Sequence, residues 1–379
     1  MLSQRSKIIP PFLVMDVLEK AKEMERAGHE IVHLEIGEPD FSTPRKIKEA
    51  AIEAIRRDET HYTHSLGILP LRQAIAEHYH KKYGVTVSPE QIIVTMGSSP
   101  GLLLILGVLL NPGDEVIVTD PGYACYPNFI RYINGQPVFV PVYAKEGFAL
   151  QPEAVKEKIT SRTRALIINS PSNPSGNVMD ATLLRAIADL GVMIISDEIY
   201  HGLVYGDKEH SVLEFTDRAF VLNGFSKLYA MTGWRLGYII APPEYVRAIQ
   251  KAQQNLFISA SSVSQWAGVA ALTKEHAEIP QMIKTYDQRR KYMISALRGM
   301  GFEIAVEPTG AFYVFADARF LSSDSHRLAF DILARAHVAV TPGIDFGEQA
   351  EGFLRFSYAN SIDNIRKAMQ LLADYISKQ

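Results

Sequence analysis

The chain has 379 residues, of which 47% are hydrophobic and 21% are charged, and its formal net charge is -3 at pH 7. This is an ordinary globular composition, and it gives no electrostatic reason to expect a nucleic acid or an anionic membrane as partner. The single cysteine, Cys125, excludes an intramolecular disulfide framework and suits a reducing compartment, so we expect a cytoplasmic protein. The longest apolar run, residues 102–110, is too short for a membrane span, which takes about 20 residues.

The first part of the chain alternates short elements that are bounded by glycine, proline and helix-capping residues. In chain order, the predicted elements are a helix over 14–28, a strand over 31–36, a helix over 44–55 with Thr43 as its cap, a loop over 61–67 and a helix over 69–83. Gly28 predicts the end of the first helix. Pro44 suits the first turn of the next one, where its missing N–H is not needed.

From residue 91 onward, short apolar runs alternate with helical sequence. The runs predict strands over 92–95, 115–119, 137–142, 165–169, 192–196 and 219–223. They are nearly continuous in isoleucine and valine, which is typical of strands buried on both faces. We therefore predict an α/β fold whose large domain, residues 46–275, is a mostly parallel sheet covered by helices on both faces.

The C-terminal part of the chain predicts a smaller α+β domain over residues 276–379, which we expect residues 1–45 to join. Its predicted elements are a charged helix over 279–298, strand-like pieces over 302–306, 312–316, 338–340 and 353–358, and a closing helix.

Lys227 stands in a polar stretch between two apolar runs, with Arg235 eight residues later. Lysine is rarely buried unless another group pairs with it or reacts with it. One hypothesis is therefore that Lys227 is a Schiff-base lysine that holds a carbonyl cofactor. On its own this is weak evidence, because most lysines are solvated.

Further polar residues follow predicted strands, at the edge of the sheet where open parallel folds bind ligands. Gly97, Ser98 and Ser99 join a strand to a helix N-terminus, which favours an anion such as phosphate, although a flexible turn explains them equally well. Their spacing fits neither a dinucleotide fingerprint nor a nucleotide phosphate-binding loop. Asn173 lies in a turn-forming segment, and Asp197 is either a helix cap or a functional acid.

Together these residues match the needs of pyridoxal phosphate. This cofactor requires a lysine for the imine, an acid at the ring nitrogen, donors to the phenolate oxygen and a cradle for the phosphate. The four roles fall to residues after different strands, namely Lys227, Asp197, Asn173 with Tyr200, and Gly97-Ser98-Ser99 with Arg235. Because four such placements by chance are improbable, the sequence predicts a pyridoxal-phosphate protein.

The chain resembles the fold-type I, class I/II pyridoxal-phosphate aminotransferases, and among them the aspartate aminotransferase subgroup. The resemblance covers essentially the whole chain, from Gly37-Glu38-Pro39-Asp40 to Leu354-Arg355-Phe356-Ser357. Its most specific pieces are Asn-Pro-Ser-Gly at 173–176, Ser-Asp-Glu-Ile-Tyr at 196–200, and Ser226-Lys227 followed by Arg235. It implies the fold-type I transferase architecture with pyridoxal 5'-phosphate as cofactor.

The resemblance also implies roles around the cofactor ring. Lys227 would form the internal aldimine and later shuttle a proton, as a catalytic residue together with Asp197 and Tyr200. Asp197 would pair with the pyridinium, and Tyr123 would stack on the ring. Asn173 and Tyr200 would hydrogen-bond the phenolate oxygen.

Two further groups of residues are implied at the ends of the site. The phosphate would be held by Gly97, Ser98, Ser99, Ser226 and Arg235. The substrate α-carboxylate would be gripped by Arg355, beside Asn173 and beneath Gly37, which leaves room for it. Tyr62 would reach the phosphate of the neighbouring subunit, which implies a homodimer with shared sites.

The chain departs from the family pattern at two places. Gly224 stands three residues before the lysine, where family members often have serine or a similar phosphate donor. Some relatives that act on acidic substrates place a lysine where Ser99 stands and hydroxyl residues near Phe12 and Leu13, whereas this chain is apolar over residues 11–13. We therefore expect a neutral, aromatic or broadly chosen amino donor rather than strict aspartate specificity.

These inferences predict a pyridoxal-phosphate-dependent aminotransferase that moves an amino group from an L-amino acid to a 2-oxo acid by a ping-pong mechanism. A carbon–sulfur lyase, or another elimination enzyme on the same fold, is the alternative, because it shares nearly all of these residues. A non-catalytic cofactor-binding regulatory module ranks lower, because such proteins carry an added nucleic-acid-binding domain and we see no such N-terminal extension. The 11 histidines form no HExxH motif or Cys/His cluster, so we expect no metal site.

Overall fold

The computed structural model describes residues 2–378. Its strands in chain order are β1 Val32–His33, β2 Ile92–Thr95, β3 Glu115–Asp120, β4 Gln136–Pro141, β5 Thr163–Asn169, β6 Ile194–Asp197, β7 Ala219–Gly224, β8 Gly237–Ile240, β9 Tyr313–Asp317, β10 Val338–Ala339, β11 Thr341–Pro342 and β12 Phe353–Ser357. Its α-helices are α1 Gln4–Ile8, α2 Leu13–Arg26, α3 Arg45–Arg56, α4 Leu69–Tyr83, α5 Ser98–Leu109, α6 Cys125–Tyr132, α7 Pro152–Lys158, α8 Ala181–Ala188, α9 Pro243–Leu256, α10 Ser262–Thr273, α11 Glu278–Gly299, α12 Ser325–Ala336 and α13 Ile362–Ile376.

The central sheet has seven strands in the order β2-β8-β7-β6-β5-β3-β4. Strands β3 to β7 run parallel to one another, whereas β8 is antiparallel to both β7 and β2. Strand β2 therefore points in the same direction as β3 to β7. The prediction of a mostly parallel sheet in an α/β fold is confirmed.

Both faces of this sheet are buried beneath helices, and successive side chains of a strand point to opposite faces. Ile117 and Ile194 pack on one face, in an apolar cluster that includes side chains of α3, α4 and α10. Val118 and Ile195 pack on the other face with side chains of α5, α6 and α9. Two covered faces explain why the strands are apolar at nearly every position.

The remaining strands form two small sheets near the C-terminal helices. Strands β11, β12 and β9 are antiparallel, and β1 pairs in parallel with β10, so that Val32 lies opposite Val338. Val32 and Leu34 belong to the apolar cluster formed by α11, α12 and α13. The N-terminal segment is thus packed against the C-terminal elements.

One predicted strand is wrong, and another is too long. Residues 302–306 form no strand, and Glu303 makes only an isolated bridge to Asp317. The predicted strand over 31–36 is limited to Val32–His33. Beyond this strand, carbonyl groups of the same segment bind side chains: the Glu35 carbonyl accepts from Arg355 and the Gly37 carbonyl from Lys227.

The predicted cap of α3 is also wrong. Pro44 occupies the N-cap position, and no side chain caps this helix. The Thr43 hydroxyl instead donates to the Ala230 carbonyl at 2.6 Å and accepts from Trp234 Nε1 at 3.0 Å. Thr43 therefore ties the N-terminal segment to the loop that follows Lys227.

Within residues 2–378, no helix combines the length and the apolar character that crossing a membrane requires.

Candidate active site

A cavity of about 260 Å³ opens at the carboxyl ends of the parallel strands, as expected for an open α/β sheet. Most of the residues predicted for the site line it, namely Gly37, Ser98, Ser99, Tyr123, Asn173, Asp197, Tyr200, Ser226, Lys227, Arg235 and Arg355. Gly97 lies beside it, against the guanidinium of Arg235. Tyr62 does not line the cavity, and 83% of its surface is exposed.

Lys227 presents its amine to this cavity from the loop after β7. Nζ donates a 2.6 Å hydrogen bond to the Gly37 carbonyl and lies 5.8 Å from the ring centroids of both Tyr200 and Phe312. Burial lowers the pKa of Lys227 from 10.5 to about 8, although the carboxylate of Glu38 acts in the opposite direction. A lowered pKa raises the fraction of neutral amine, which is the nucleophilic form.

Asp197 ends β6 as a buried carboxylate with donors on both oxygens. Oδ2 accepts a 2.6 Å hydrogen bond from the Tyr126 hydroxyl, and Oδ1 accepts a 3.2 Å bond from the Ile199 amide. Burial raises the pKa of Asp197 to about 6, against the effect of these two donors. The carboxylate is therefore ionised at neutral pH and can pair with a cationic ring nitrogen.

The N-terminus of α5 forms a cradle for an anion. Gly97 precedes the helix with a φ of +92°, and a Cβ atom there would lie 2.6 Å from Nη2 of Arg235. The first backbone N–H groups of the helix and the hydroxyl groups of Ser98 and Ser99 converge at this end. Because Gly97 has no side chain, the Arg235 guanidinium can lie close to the N-terminus of α5. The guanidinium and the helix N–H groups together are suited to bind a phosphate group.

The missing phosphate donor at Gly224 has a packing explanation. A Cβ atom on Gly224 would lie 3.0 Å from the Cα of Gly237 and 3.0 Å from the Leu236 carbonyl oxygen. Strands β7 and β8 lie so close together at this point that a side chain at position 224 would require the backbone to shift. The hydroxyl of Ser226, which lines the same cavity, lies two residues closer to Lys227.

Arg355 projects from β12 as a buried cation on the opposite side of the cavity. Nη1 donates to Asn173 Oδ1 at 2.9 Å, and Nη2 donates to Thr341 Oγ1 at 3.1 Å. Its Nε is a buried donor that lacks a hydrogen-bond partner within the described chain. A buried arginine that lines a cavity is suited to bind a carboxylate.

Sequence reasoning did not single out some of the side chains that shape the cavity. The Tyr126 hydroxyl binds Asp197, and the Tyr313 hydroxyl lies 2.8 Å from that of Tyr200. Tyr126 follows Tyr123 by three residues, and their rings lie 5.2 Å apart, so closeness to Tyr123 in the sequence was a signal for it. Tyr313 had no comparable local signal. Across residues 2–378, no group of three His, Cys, Asp or Glu side chains is arranged to hold a metal ion.

Comparison with known proteins gives the family. Residues 29–372 match the sequence model for aminotransferase class I and II. The chain is 43% identical to a (5-formylfuran-3-yl)methyl phosphate transaminase from Methanocaldococcus jannaschii, with 100% of both chains covered. It is 39% identical to an aspartate/prephenate aminotransferase from Thermus thermophilus, over 100% of this chain and 99% of the relative.

A solved structure agrees with these sequence matches. A Methanococcus jannaschii protein whose active site is described as similar to those of kynurenine aminotransferases superposes with a TM-score of 0.92 at 43% identity, covering 99% of this chain and 100% of the other. A sequence match over most of the chain and a shared fold are both present. The chain therefore belongs to the class I and II aminotransferases, the fold-type I enzymes that transfer amino groups with pyridoxal phosphate.

Proposed function

We propose that the cavity binds pyridoxal phosphate through Lys227 and moves an amino group from an L-amino acid to a 2-oxo acid in two half-reactions. The observation that carries this proposal is that an amine with a lowered pKa, a buried carboxylate and a buried arginine line one cavity. These groups are Lys227, Asp197 and Arg355. When bound, the cofactor supplies an electron sink that stabilises negative charge at the substrate Cα.

The residues around the cofactor ring divide the work of binding and proton transfer. Lys227 Nζ would hold the cofactor and would accept the proton that leaves the substrate Cα. Asp197 would keep the ring nitrogen protonated. Asn173 and Tyr200 would donate to the phenolate oxygen, and the ring of Tyr123 would lie against the cofactor.

One end of the site would bind the cofactor phosphate, and the other end would bind the substrate carboxylate. The phosphate would be held at the N-terminus of α5 by Gly97, Ser98 and Ser99, together with Ser226 and Arg235. Arg355 would bind the substrate α-carboxylate through its guanidinium, which donates to Asn173 Oδ1. Gly37 lines the same cavity, and the Tyr313 hydroxyl occupies the space that a side chain on Gly37 would take. The carboxylate and the phosphate thus set the orientation of the substrate relative to Lys227.

The phosphate cradle supports a homodimer in which each subunit completes the site of the other. Ser99 and Arg235 are exposed in the single chain, so one side of the cradle is open. Tyr62 is a large exposed side chain that we assign to the cradle of the partner subunit. Mixing Tyr62→Ala with Lys227→Ala protein tests this, because each mixed dimer has one site with a native Lys227 and a native Tyr62. Mixing must restore activity that neither variant shows alone, and no gain on mixing would contradict shared sites.

We further propose a neutral or aromatic amino donor. The three cationic side chains along the cavity, Lys227, Arg235 and Arg355, are already assigned, and the wall near the N-terminal segment is apolar. This wall consists of Phe12, Val14, Met15 and Ile36. A second substrate carboxylate would be buried there without a partner, which costs several kcal/mol. Values of kcat/KM for phenylalanine, tyrosine and alanine should exceed those for aspartate and glutamate, and a preference for the acidic donors would overturn this assignment.

A spectroscopic experiment tests the reaction itself. The visible absorption of purified protein is recorded before and after addition of single amino acids, with wild-type and Lys227→Ala protein. In wild-type protein, we expect a visible cofactor band that changes when amino acids are added. In Lys227→Ala protein, we expect this band to differ from that of the wild type before any amino acid is added. No cofactor band in wild-type protein would overturn the proposal. Release of ammonia and a 2-oxo acid without any added acceptor would indicate elimination instead.

The organisation of the chain completes the proposal. We infer a large cofactor-binding domain over 46–275 and a small domain formed by 276–379 with 1–45. This is supported by the pairing of β1 with β10 and by the separate apolar cluster around α11 to α13. Limited proteolysis should cut first near residue 275. The single cysteine supports a cytoplasmic location, which cell fractionation can test.

A further inference from the structure

Tyr313 contacts the two sides of the active site at once. It begins β9, is only 1% exposed and lines the cavity. Its hydroxyl lies 2.8 Å from the hydroxyl of Tyr200, and the guanidinium carbon of Arg355 lies 4.3 Å from its ring centroid. One side chain therefore contacts both the residue assigned to the cofactor's phenolate oxygen and the residue assigned to the substrate carboxylate.

The sheet register produces this arrangement. Strands β9 and β12 are antiparallel, and Arg355 lies opposite Phe315. Tyr313 is two residues from Phe315 and shares its face, so that it is the diagonal neighbour of Arg355. Gly37 makes room for the phenol, since a Cβ atom there would lie 2.0 Å from the Tyr313 hydroxyl oxygen.

We propose that Tyr313 is a positioning residue that holds Arg355 with its ring and orients Tyr200 with its hydroxyl. This inference rests on the function proposed above and assigns a separate task to each half of one side chain. The ring acts on carboxylate binding. The hydroxyl acts on the electronic state of the cofactor.

The direction of the hydrogen bond follows from counting protons. Each phenol has one O–H group, and Tyr200 uses its own to donate to the cofactor. Tyr313 must then donate to Tyr200. Burial raises the pKa of Tyr313, so its hydroxyl keeps the proton at neutral pH. Accepting this bond makes Tyr200 a stronger donor, because successive hydrogen bonds polarise one another.

The ring acts through its electron-rich face. The Arg355 guanidinium is buried over it, and Phe346 contacts the same guanidinium at 5.0 Å. A cation over an aromatic face is stabilised most where water is excluded. The two rings therefore restrict the orientation of the guanidinium beside the cavity that Arg355 lines.

Two substitutions separate the two tasks. Tyr313→Phe keeps the ring and removes the hydroxyl, whereas Tyr313→Leu removes both. In the resting holoenzyme, the pH midpoint of the visible cofactor band should rise by a few tenths of a unit in both variants. The dissociation constant for 3-phenylpropanoate, a carboxylate without an amino group, should stay within about twofold in Tyr313→Phe and rise about tenfold in Tyr313→Leu. The same carboxylate titration on cofactor-free protein, by calorimetry, should show the same contrast.

Tyr205→Phe is the matched control, because Tyr205 is a neighbouring tyrosine whose hydroxyl donates to the Ala311 carbonyl and which does not line the cavity. It should move neither the band midpoint nor carboxylate binding. An unchanged midpoint in Tyr313→Phe would refute the hydroxyl role, and unchanged carboxylate binding in Tyr313→Leu would refute the ring role. Either result, with a normal cofactor band in wild-type protein, leaves the proposed function intact. A missing band in wild-type protein would instead refute that function.

Discussion

The Tyr126 hydroxyl donates a 2.6 Å hydrogen bond to Oδ2 of Asp197, from a residue 71 positions earlier in the chain. Asp197 is buried, and burial raises its pKa to about 6, whereas this bond acts to lower it. The carboxylate is thus ionised at neutral pH with only a narrow margin. A hydrogen bond to an ionised group contributes about 1.5–3 kcal/mol, so the loss of this one should matter.

The first prediction concerns Tyr126→Phe. Without the donor, the pKa of Asp197 rises, and a larger fraction of the carboxyl group is protonated at pH 7. We expect kcat to fall about tenfold and the acidic limb of its pH profile to move to higher pH. Asp197→Asn provides the reference for complete loss of the charge. A Tyr126→Phe enzyme with the wild-type pH profile would contradict this role.

The second prediction concerns the cost of keeping Lys227 reactive. Its pKa in the folded protein is about 8, mainly because of burial, with Arg355 and Arg235 adding to the effect, against 10.5 when exposed. Below pH 8 both folded and unfolded chains carry the charge, and the folded state bears the full penalty. The penalty is relieved as pH rises from 8 to 10.5. Cofactor-free Lys227→Met protein should therefore be more stable than cofactor-free wild type at pH 7, by up to about 3 kcal/mol.

Urea denaturation of the two cofactor-free proteins at pH 7 and at pH 10 measures this difference. We expect the gap to shrink at the higher pH. Lys20→Met is the control, since Lys20 is exposed and pairs with Glu23 on the surface of α2. A gain in stability that is the same at both pH values would show that packing, rather than charge, is responsible.

The third prediction concerns the phosphate cradle. A Cβ atom in Gly97→Ala would meet Nη2 of Arg235 at 2.6 Å, and the φ of +92° disfavours any side chain. The dissociation constant of pyridoxal phosphate should rise at least about tenfold. Gly107→Ala, within the helix that Gly97 precedes, is the control, because a Cβ atom there meets nothing within 4 Å. Equilibrium dialysis of both variants checks the contrast, and equal cofactor affinities would exclude the cradle from phosphate binding.

The sequence predicted the sheet and most of the site because both depend on local patterns. Continuous isoleucine and valine runs mark the buried strands. Asp197 ends β6 and Lys227 follows the parallel neighbour β7, so both residues lie at the same edge of the sheet. What could not be predicted depends on distant contacts. Instead of capping α3, the Thr43 hydroxyl donates to the Ala230 carbonyl, which is 187 residues away in the sequence. The Tyr313 hydroxyl contacts that of Tyr200, which is 113 residues away. No periodicity in a single sequence encodes such pairs.

The last prediction concerns the buried guanidinium of Arg355. Its planar donors contact Asn173 Oδ1 and Thr341 Oγ1 while Nε stays free, and lysine cannot reproduce that geometry. In Arg355→Lys, we expect KM for the amino acid to rise about 100-fold with a smaller change in kcat, a loss of about 2.7 kcal/mol. The dissociation constant of 3-phenylpropanoate should rise in parallel, because it shares only the carboxylate. Arg319→Lys is the control, since Arg319 is exposed and pairs with Asp317 at the end of the same sheet. Undiminished carboxylate affinity in Arg355→Lys would show that the substrate carboxylate binds elsewhere.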